Sequence, residues 1–202
     1  MKHSIKIIPI IPIVLLLTFC NKEEKRDGLV PLEIEVDSAQ IGTLYIDKDY
    51  GIEFAPPFLW EDYQTESSKR VESVKGSNKA LSKKYVFESR YVFFDYGKNS
   101  ILNVGEVKNV DSVSTDKLSI ADYIDIFTSK YDPKDVTFVK YLKGDLILFH
   151  VLYKLQSLES YKYIFMNKQG RIIQFDYTIR EQNREAEMPR MLSSLGTLHL
   201  IN

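Results

Sequence analysis

Apolar and polar residues alternate along several stretches of the chain with the period of two that predicts β-strands. Apolar residues at positions 32, 34 and 36 alternate with acidic residues at positions 33, 35 and 37, which predicts a half-buried edge strand. Residues 44–46 and 52–55 flank a turn-like segment and predict a hairpin that stops at Pro56-Pro57. Residues 85–96 and 101–107, joined by Gly-Lys-Asn-Ser, predict a second hairpin.

Four apolar runs follow closely in the second half of the chain, at residues 136–142, 146–155, 161–166 and 172–179. Their connections are too short for crossover helices, so we expect an antiparallel meander. The second run is apolar on both sides and is predicted to be central. In the fourth run, apolar residues alternate with the polar residues Gln174, Asp176, Thr178 and Arg180, which predicts a more exposed strand.

Two helices are predicted around this meander. Ser119 can cap a helix that carries Ile120, Tyr123, Ile124 and Phe127 at the spacing of one helix face. Pro189 fits the first turn of a last helix that ends at Gly196, and a short strand over residues 197–201 closes the chain. Residues 61–84 are polar and are predicted to form mostly loop, with a helical turn or two.

The N-terminal residues form a separate unit with the layout of an export signal. Lys2 and Lys6 precede a thirteen-residue apolar or small-residue run that ends at Cys20, too short to span a bilayer. The tetrad 17–20, Leu-Thr-Phe-Cys, resembles the lipobox of bacterial lipoproteins, although Phe19 stands where a small residue is usual. This resemblance implies a signal peptide over residues 1–19 and a lipidated Cys20; the alternative is an ordinary secretory signal with a chance cysteine.

Composition limits the classes of partner and of fold stabilisation. The chain has 202 residues with a net charge of −1, and removing residues 1–19, which hold two lysines and no acid, leaves a charge near −3. Nothing in this balance favours nucleic acid, whose binding needs a basic excess. One cysteine excludes an internal disulfide framework. We expect residues 20–30 to be a polar, flexible tether and residues 31–202 to be a single globular domain that needs no cofactor.

The order of these elements, together with one short motif, resembles a known family. Gly51, Ile52, Phe54, Pro56 or Pro57, and Trp60 stand at the spacing of that motif, ahead of the second hairpin, the helix and the meander. The pattern is similar to the PsbP-like α/β/α sandwich, an antiparallel sheet with helices on both faces. The resemblance covers residues 44–201 and implies a non-enzymatic binding or assembly role.

Candidate chemistry is sparse. His150 lies on an apolar strand face, where a buried histidine satisfied by a neighbouring carbonyl or carboxylate is the favoured interpretation. His199 is predicted to be a surface or packing residue, and no histidine, cysteine or carboxylate cluster has the spacing of a metal site. No nucleophile elbow, phosphate loop or dinucleotide fingerprint occurs.

Aromatic side chains are the remaining candidates for a binding surface. Phe58 and Trp60 follow two prolines, and they form either a core plug or an exposed docking patch. Tyr161 and Tyr163 share one strand face, which either packs against helices or lines a ligand groove.

Three functional hypotheses follow from the sequence. The first is a lipid-anchored bacterial envelope lipoprotein that binds a protein or a small apolar ligand. The second is an envelope hydrolase centred on His150. The third is a surface-displayed lipoprotein that contacts extracellular ligands.

Overall fold

The computed structural model describes residues 28–63, 85–109 and 119–202. Within these ranges the strands are β1 (Leu29–Pro31), β2 (Tyr45–Asp47), β3 (Ile52–Phe54), β4 (Glu61–Asp62), β5 (Tyr85–Asp95), β6 (Ser100–Asn109), β7 (Val136–Lys143), β8 (Leu146–Leu155), β9 (Leu158–Met166), β10 (Ile172–Arg180) and β11 (His199–Leu200). The α-helices are α1 (Ile120–Thr128) and α2 (Arg184–Gly196). The predicted loop over residues 61–84 falls outside the described residues from position 64 onward.

Two sheets organise these strands. The main sheet has eight strands in the order β1-β7-β8-β9-β10-β6-β5-β4, and the small sheet has the order β11-β3-β2. Every described pair is antiparallel except β1 with β7, which is parallel. The two predicted hairpins and the predicted meander β7-β8-β9-β10 are therefore confirmed, and the fold is a mixed α/β domain made mostly of strands.

The first helix follows its sequence pattern closely. Ser119 caps α1 by accepting a hydrogen bond from the backbone N–H of Asp122, as the spacing predicts. The apolar face of α1 packs into one core cluster, the α1-side core. Its members from the helix and the sheet include Tyr123, Phe127, Val151, Ile164 and Tyr85.

A second cluster, the α2-side core, holds the largest group of aromatic side chains. It joins α2 and the small sheet to the main sheet through residues that include Phe54, Phe93, Phe175, Tyr177, Met191 and Leu195. Ring pairs run through it, such as Phe54 with Phe175 at 5.0 Å between centroids. Because β8, β9 and β10 contribute side chains to both cores, the central strands are shared by the whole domain.

The segment before the first hairpin differs from its prediction. Residues 32–37 form no regular strand; β1 ends at Pro31, and the segment then runs as a strap over α2. Ile34 and Val36 lie so close to Gly196 that a Cβ there would collide with both side chains. The Leu32 N–H still donates to Leu142 O of β7 at 2.8 Å, and beyond it the alternating apolar residues Ile34 and Val36 face α2 rather than a sheet.

Three further differences concern element boundaries and exposure. The last helix begins at Arg184, so Pro189 lies inside α2 rather than in its first turn. Strand β9 begins at Leu158, inside the predicted connection. Strand β10 is buried between β9 and β6, and its polar residues Gln174 and Asp176 are buried too, so its predicted exposure is wrong.

Candidate functional site

The proline corner places its two predicted binding residues in different environments. Trp60 is only 5 % exposed and donates its indole N–H to Glu187 Oε2 at 3.1 Å. Glu187 is itself buried and forms an ion pair with Lys98 at 2.5 Å. Phe58 is 45 % exposed, in a turn where Leu59 has a φ of 68°. Trp60 is thus a core plug, and of these two predicted binding residues only Phe58 is at the surface.

Tyr161 and Tyr163 belong to the α2-side core, and neither lines any of the three clefts described below. Both are 5 % exposed. The Tyr161 hydroxyl donates to Glu159 Oε2 at 2.8 Å, and burial with this carboxylate raises the pKa of Tyr161 to about 12. Burial opposes ionisation of Glu159, but hydrogen bonds from Arg184, Tyr161 and Lys154 outweigh it and lower the Glu159 pKa to about 2. The arrangement is an ion-pair network in which the buried Glu159 carboxylate of β9 is held by the partly exposed cations Arg184 and Lys154, and it ties β9 to α2.

His150 packs beside these tyrosines without the partner that the sequence predicts. Its ring is stacked on Tyr163, with 4.6 Å between centroids, and lies 5.9 Å from the Tyr141 ring. Within the part of the chain that the structure describes, neither ring nitrogen has a hydrogen-bond partner. Burial lowers the His150 pKa to about 4, so the ring is neutral near pH 7. A general base needs a nucleophile within hydrogen-bond reach, and no such group faces His150 among the described residues.

A buried polar trio on β9 and β10 was missed by the sequence analysis. Lys162 Nζ lies 2.5 Å from Asp176 Oδ2, and the Ser160 hydroxyl donates to Asp176 Oδ1 at 2.7 Å. The Lys162 ammonium also lies over the Phe127 ring of α1, 5.1 Å from its centroid. Serine, lysine and aspartate can form a catalytic set in other settings. Here Lys162 and Asp176 are almost fully buried beneath α1, so a substrate has no direct access to them.

An open concave surface among the described residues lies beside α1, where two clefts of about 750 and 610 Å³ adjoin. They share Ala121 and Phe149. We call this surface the α1 groove, and its main apolar lining residues are Ala121, Ile124, Phe138, Ile147, Phe149 and Met166. Lys140, Asp125 and Asp145 supply the charges at its rim.

The length of α1 explains why this groove is open. A nine-residue helix is about 14 Å long, which is enough to cover Val151 and Ile164 but not the outer part of β7 and β8. Phe149 follows Val151 on the same face of β8, because residues two apart on a strand point the same way. It is only half-buried, with Lys140 Nζ 5.6 Å from its ring centroid.

A third cleft of about 720 Å³ lies between the strap and α2. Its floor is apolar, with Ile34, Met188 and Leu192, and its rim includes the acids Glu33, Glu35, Asp37 and Glu185. In this part of the chain the acidic residues are exposed, as expected for a solvated rim.

Two further features of the described part of the chain concern metal binding and membrane insertion. No group of three or more histidine, cysteine or acidic side chains there can hold a metal ion. No helix among the same residues is long and apolar enough to cross a membrane.

Comparison with known proteins identifies the architecture. No model of a known protein family matches the chain, and no curated protein matches its sequence. Among solved structures, the chain is similar to the solution structure of cyanobacterial PsbP (CyanoP) from Synechocystis sp. PCC 6803, with a TM-score of 0.52. The match covers 85 % of this chain and 98 % of that one, at 14 % sequence identity. The fold is PsbP-like.

The PsbP-like fold agrees with the resemblance indicated by the hairpin motif and the order of the elements. At 14 % identity the likeness concerns the fold, and it transfers no partner or activity to this chain.

Proposed function

We propose that the protein is a bacterial envelope lipoprotein, anchored through Cys20, whose PsbP-like domain is a non-enzymatic binding or assembly module. The signal-like residues 1–19 and the placement of the single cysteine after the apolar run support the anchor. The α1 groove supports the binding role, because a wide apolar cleft on a folded domain is the usual form of a ligand or partner site.

The finer architecture is part of the same proposal. In this arrangement α1 and α2 cover opposite faces of the main sheet, as in an α/β/α sandwich. The alternation along β8 supports it, since Leu148 belongs to the α2-side core and Val151, an odd number of residues away, belongs to the α1-side core. The α1 groove then lies on the face that α1 covers only in part.

Lipidation of Cys20 is tested by mass spectrometry of the natural product. We expect the mature chain to begin at Cys20 and to carry the mass of a diacylglycerol group with or without an N-acyl chain. The Cys20→Ala variant, which cannot form the thioether, is expected to lack that mass and to leave the membrane fraction. A free thiol at Cys20, or a retained leader, contradicts the anchor.

Binding at the α1 groove is tested with N-phenyl-1-naphthylamine, an apolar dye whose emission rises in a dry environment. Ala121 is exposed on α1 at the point where the two clefts meet, so Ala121→Trp fills the groove without disturbing the core. We expect dye affinity to fall about tenfold, which corresponds to 1.4 kcal/mol.

The matched control is Tyr96→Trp, an aromatic substitution at an exposed site on the turn after β5. It should leave dye affinity unchanged. Equal affinity of wild type and Ala121→Trp places the dye elsewhere and refutes the groove as the site.

A further inference from the structure

At the uncovered corner of the main sheet, three large apolar side chains of the α1 groove lining are exposed. Phe138, Ile147 and Met166 are 42 %, 40 % and 44 % exposed. They come from β7, β8 and β9, which are neighbours in the sheet. Cross-strand pairs place them on the α1 side: Phe138 lies opposite the core residue Val151, while Ile147 and Met166 each lie two residues from the paired Phe149 and Ile164.

The N-terminal end of the described body lies at the same edge of the sheet. Among the described strands β1 pairs with β7 alone, and Leu29 lies opposite Lys140, two residues along β7 from Phe138. Leu29 is nine peptide units from Cys20, which limits the distance between the two Cα atoms to about 30 Å. A body of about 175 residues has a diameter of about 40 Å.

Because the connection to Cys20 is shorter than the body is wide, an anchor at Cys20 keeps the β1–β7 edge on the side of the bilayer. The opposite edge of the sheet, formed by β5 and β4, is then turned away. The sheet corner that α1 leaves uncovered adjoins the β1–β7 edge and then lies on the lipid side of the body.

The charges around the corner fit an apolar contact rather than an ionic one. Lys140 is the cation of the groove lining, whereas Asp125 and Asp145 are carboxylates. This balance gives no attraction to anionic headgroups. The Lys140 ammonium lies over the Phe149 ring, with Nζ 5.6 Å from the ring centroid, and a flexible lysine stem allows such an ammonium to reach outward to water or headgroups.

We infer that the α1 groove and the corner formed by Phe138, Ile147 and Met166 rest on a lipid bilayer and take its acyl chains, so that the folded body lies against the membrane. This inference rests on the proposed function, since the anchor at Cys20 selects the edge. The ligand of the α1 groove is then membrane lipid.

The test uses the full-length chain, purified from bacterial membranes and reconstituted into phosphatidylcholine vesicles with bromine on the upper part of the acyl chains. Bromine quenches tryptophan emission at short range. Phe138→Trp adds an indole at the corner, and the emission of buried Trp60, measured in wild type, is subtracted as background. We expect brominated lipid to reduce the added emission about twofold, because interfacial apolar side chains reach about 5–10 Å into the headgroup and acyl boundary.

The control variant is again Tyr96→Trp, whose site is 57 % exposed and therefore more accessible than Phe138. Its added emission should be unaffected by bromine. Adding anionic lipid should leave the quenching of Phe138→Trp unchanged, because the corner has no basic excess.

The outcomes separate this inference from the proposed function. If the Cys20 peptide of the same sample carries acyl groups but Phe138→Trp is not quenched, or is quenched no more than Tyr96→Trp, the docking is refuted and the anchor stands. If Phe138→Trp emission instead shifts with protein density in unbrominated vesicles, a second copy covers the corner, and the inference is again refuted. If Cys20 is unmodified, the proposed anchor and this inference both fail.

Discussion

His150 is a buried side chain whose charge state couples folding to pH. In the folded chain burial lowers its pKa to about 4, whereas an unfolded histidine titrates near 6.5. The unfolded state therefore binds more protons between pH 6.5 and 4, and stability must fall as the pH falls through that window. Glu159, with its pKa lowered to about 2, contributes stability that is lost only below about pH 4.5.

Removing the His150 imidazole should flatten this pH dependence. We expect wild type to lose about 2 kcal/mol of unfolding free energy between pH 7 and pH 5 through this residue, and His150→Phe, which can still stack on Tyr163, to lose little. Urea unfolding at the two pH values measures the difference. His199→Gln, a change at an exposed histidine, should behave as wild type, and equal slopes for wild type and His150→Phe contradict the prediction.

The sequence indicated that His150 is buried, but its surroundings required the strand register. A histidine between apolar neighbours predicts burial, and this is confirmed. The predicted hydrogen-bond partner is wrong within the described residues, because the register places the faces of tyrosine rings beside it. Trp60 had two interpretations from sequence, and only the contact with Glu187 across the fold decides between them.

At the scale of elements, β10 illustrates the limit of alternation patterns. Gln174 and Asp176 alternate with apolar residues and predict a solvated face, yet β10 is central and α1 covers that face. Gln174 accepts a hydrogen bond from the Tyr123 hydroxyl at 2.8 Å, and Asp176 is paired with Lys162. Turn residues and apolar runs were enough to predict the hairpins, the meander and α1. They place β9 beside β10 but carry no information on which strand pairs with the other edge of β10, so its burial between β9 and β6 could not be predicted.

The pair across β9 and β10 should behave as a buried ion pair. Lys162→Met leaves the Asp176 carboxylate without its ammonium, and we expect the free energy of unfolding to fall by about 3–5 kcal/mol. Adding Asp176→Leu removes the unpaired charge, so the double variant should be more stable than Lys162→Met alone. Urea unfolding of both variants and of Asp176→Leu completes the cycle, and a double variant as unstable as the sum of the single changes contradicts the coupling.

At the scale of the whole molecule, the two cores are joined through β8, β9 and β10, so they should unfold together. Trp60, the single tryptophan, reports on the α2-side core, whereas amide exchange in α1 reports on the α1-side core. We expect the urea midpoint of Trp60 emission to coincide with the midpoint at which α1 loses its protection. Loss of α1 protection at a lower urea concentration contradicts this coupling.

The α1 groove could not be predicted from the sequence, for a geometric reason. The sequence placed a possible groove at Tyr161 and Tyr163, which are both buried, whereas the α1 groove combines side chains of α1, β7, β8 and β9. Its existence depends on how far a nine-residue helix extends over a sheet, which follows from the packing angle and not from the residue pattern.

Strand β1 also determines how the domain bears mechanical load. If the chain is anchored at Cys20 as proposed, a pull on it would reach the described body at Leu29, where three residue pairs join β1 to β7. Behind them, Ile34 and Val36 are wedged against Gly196 of α2. We expect tension in this connection to separate β1 from β7 first and to load the strap only afterwards. The short β1–β7 pairing would then protect the rest of the main sheet from unfolding under force.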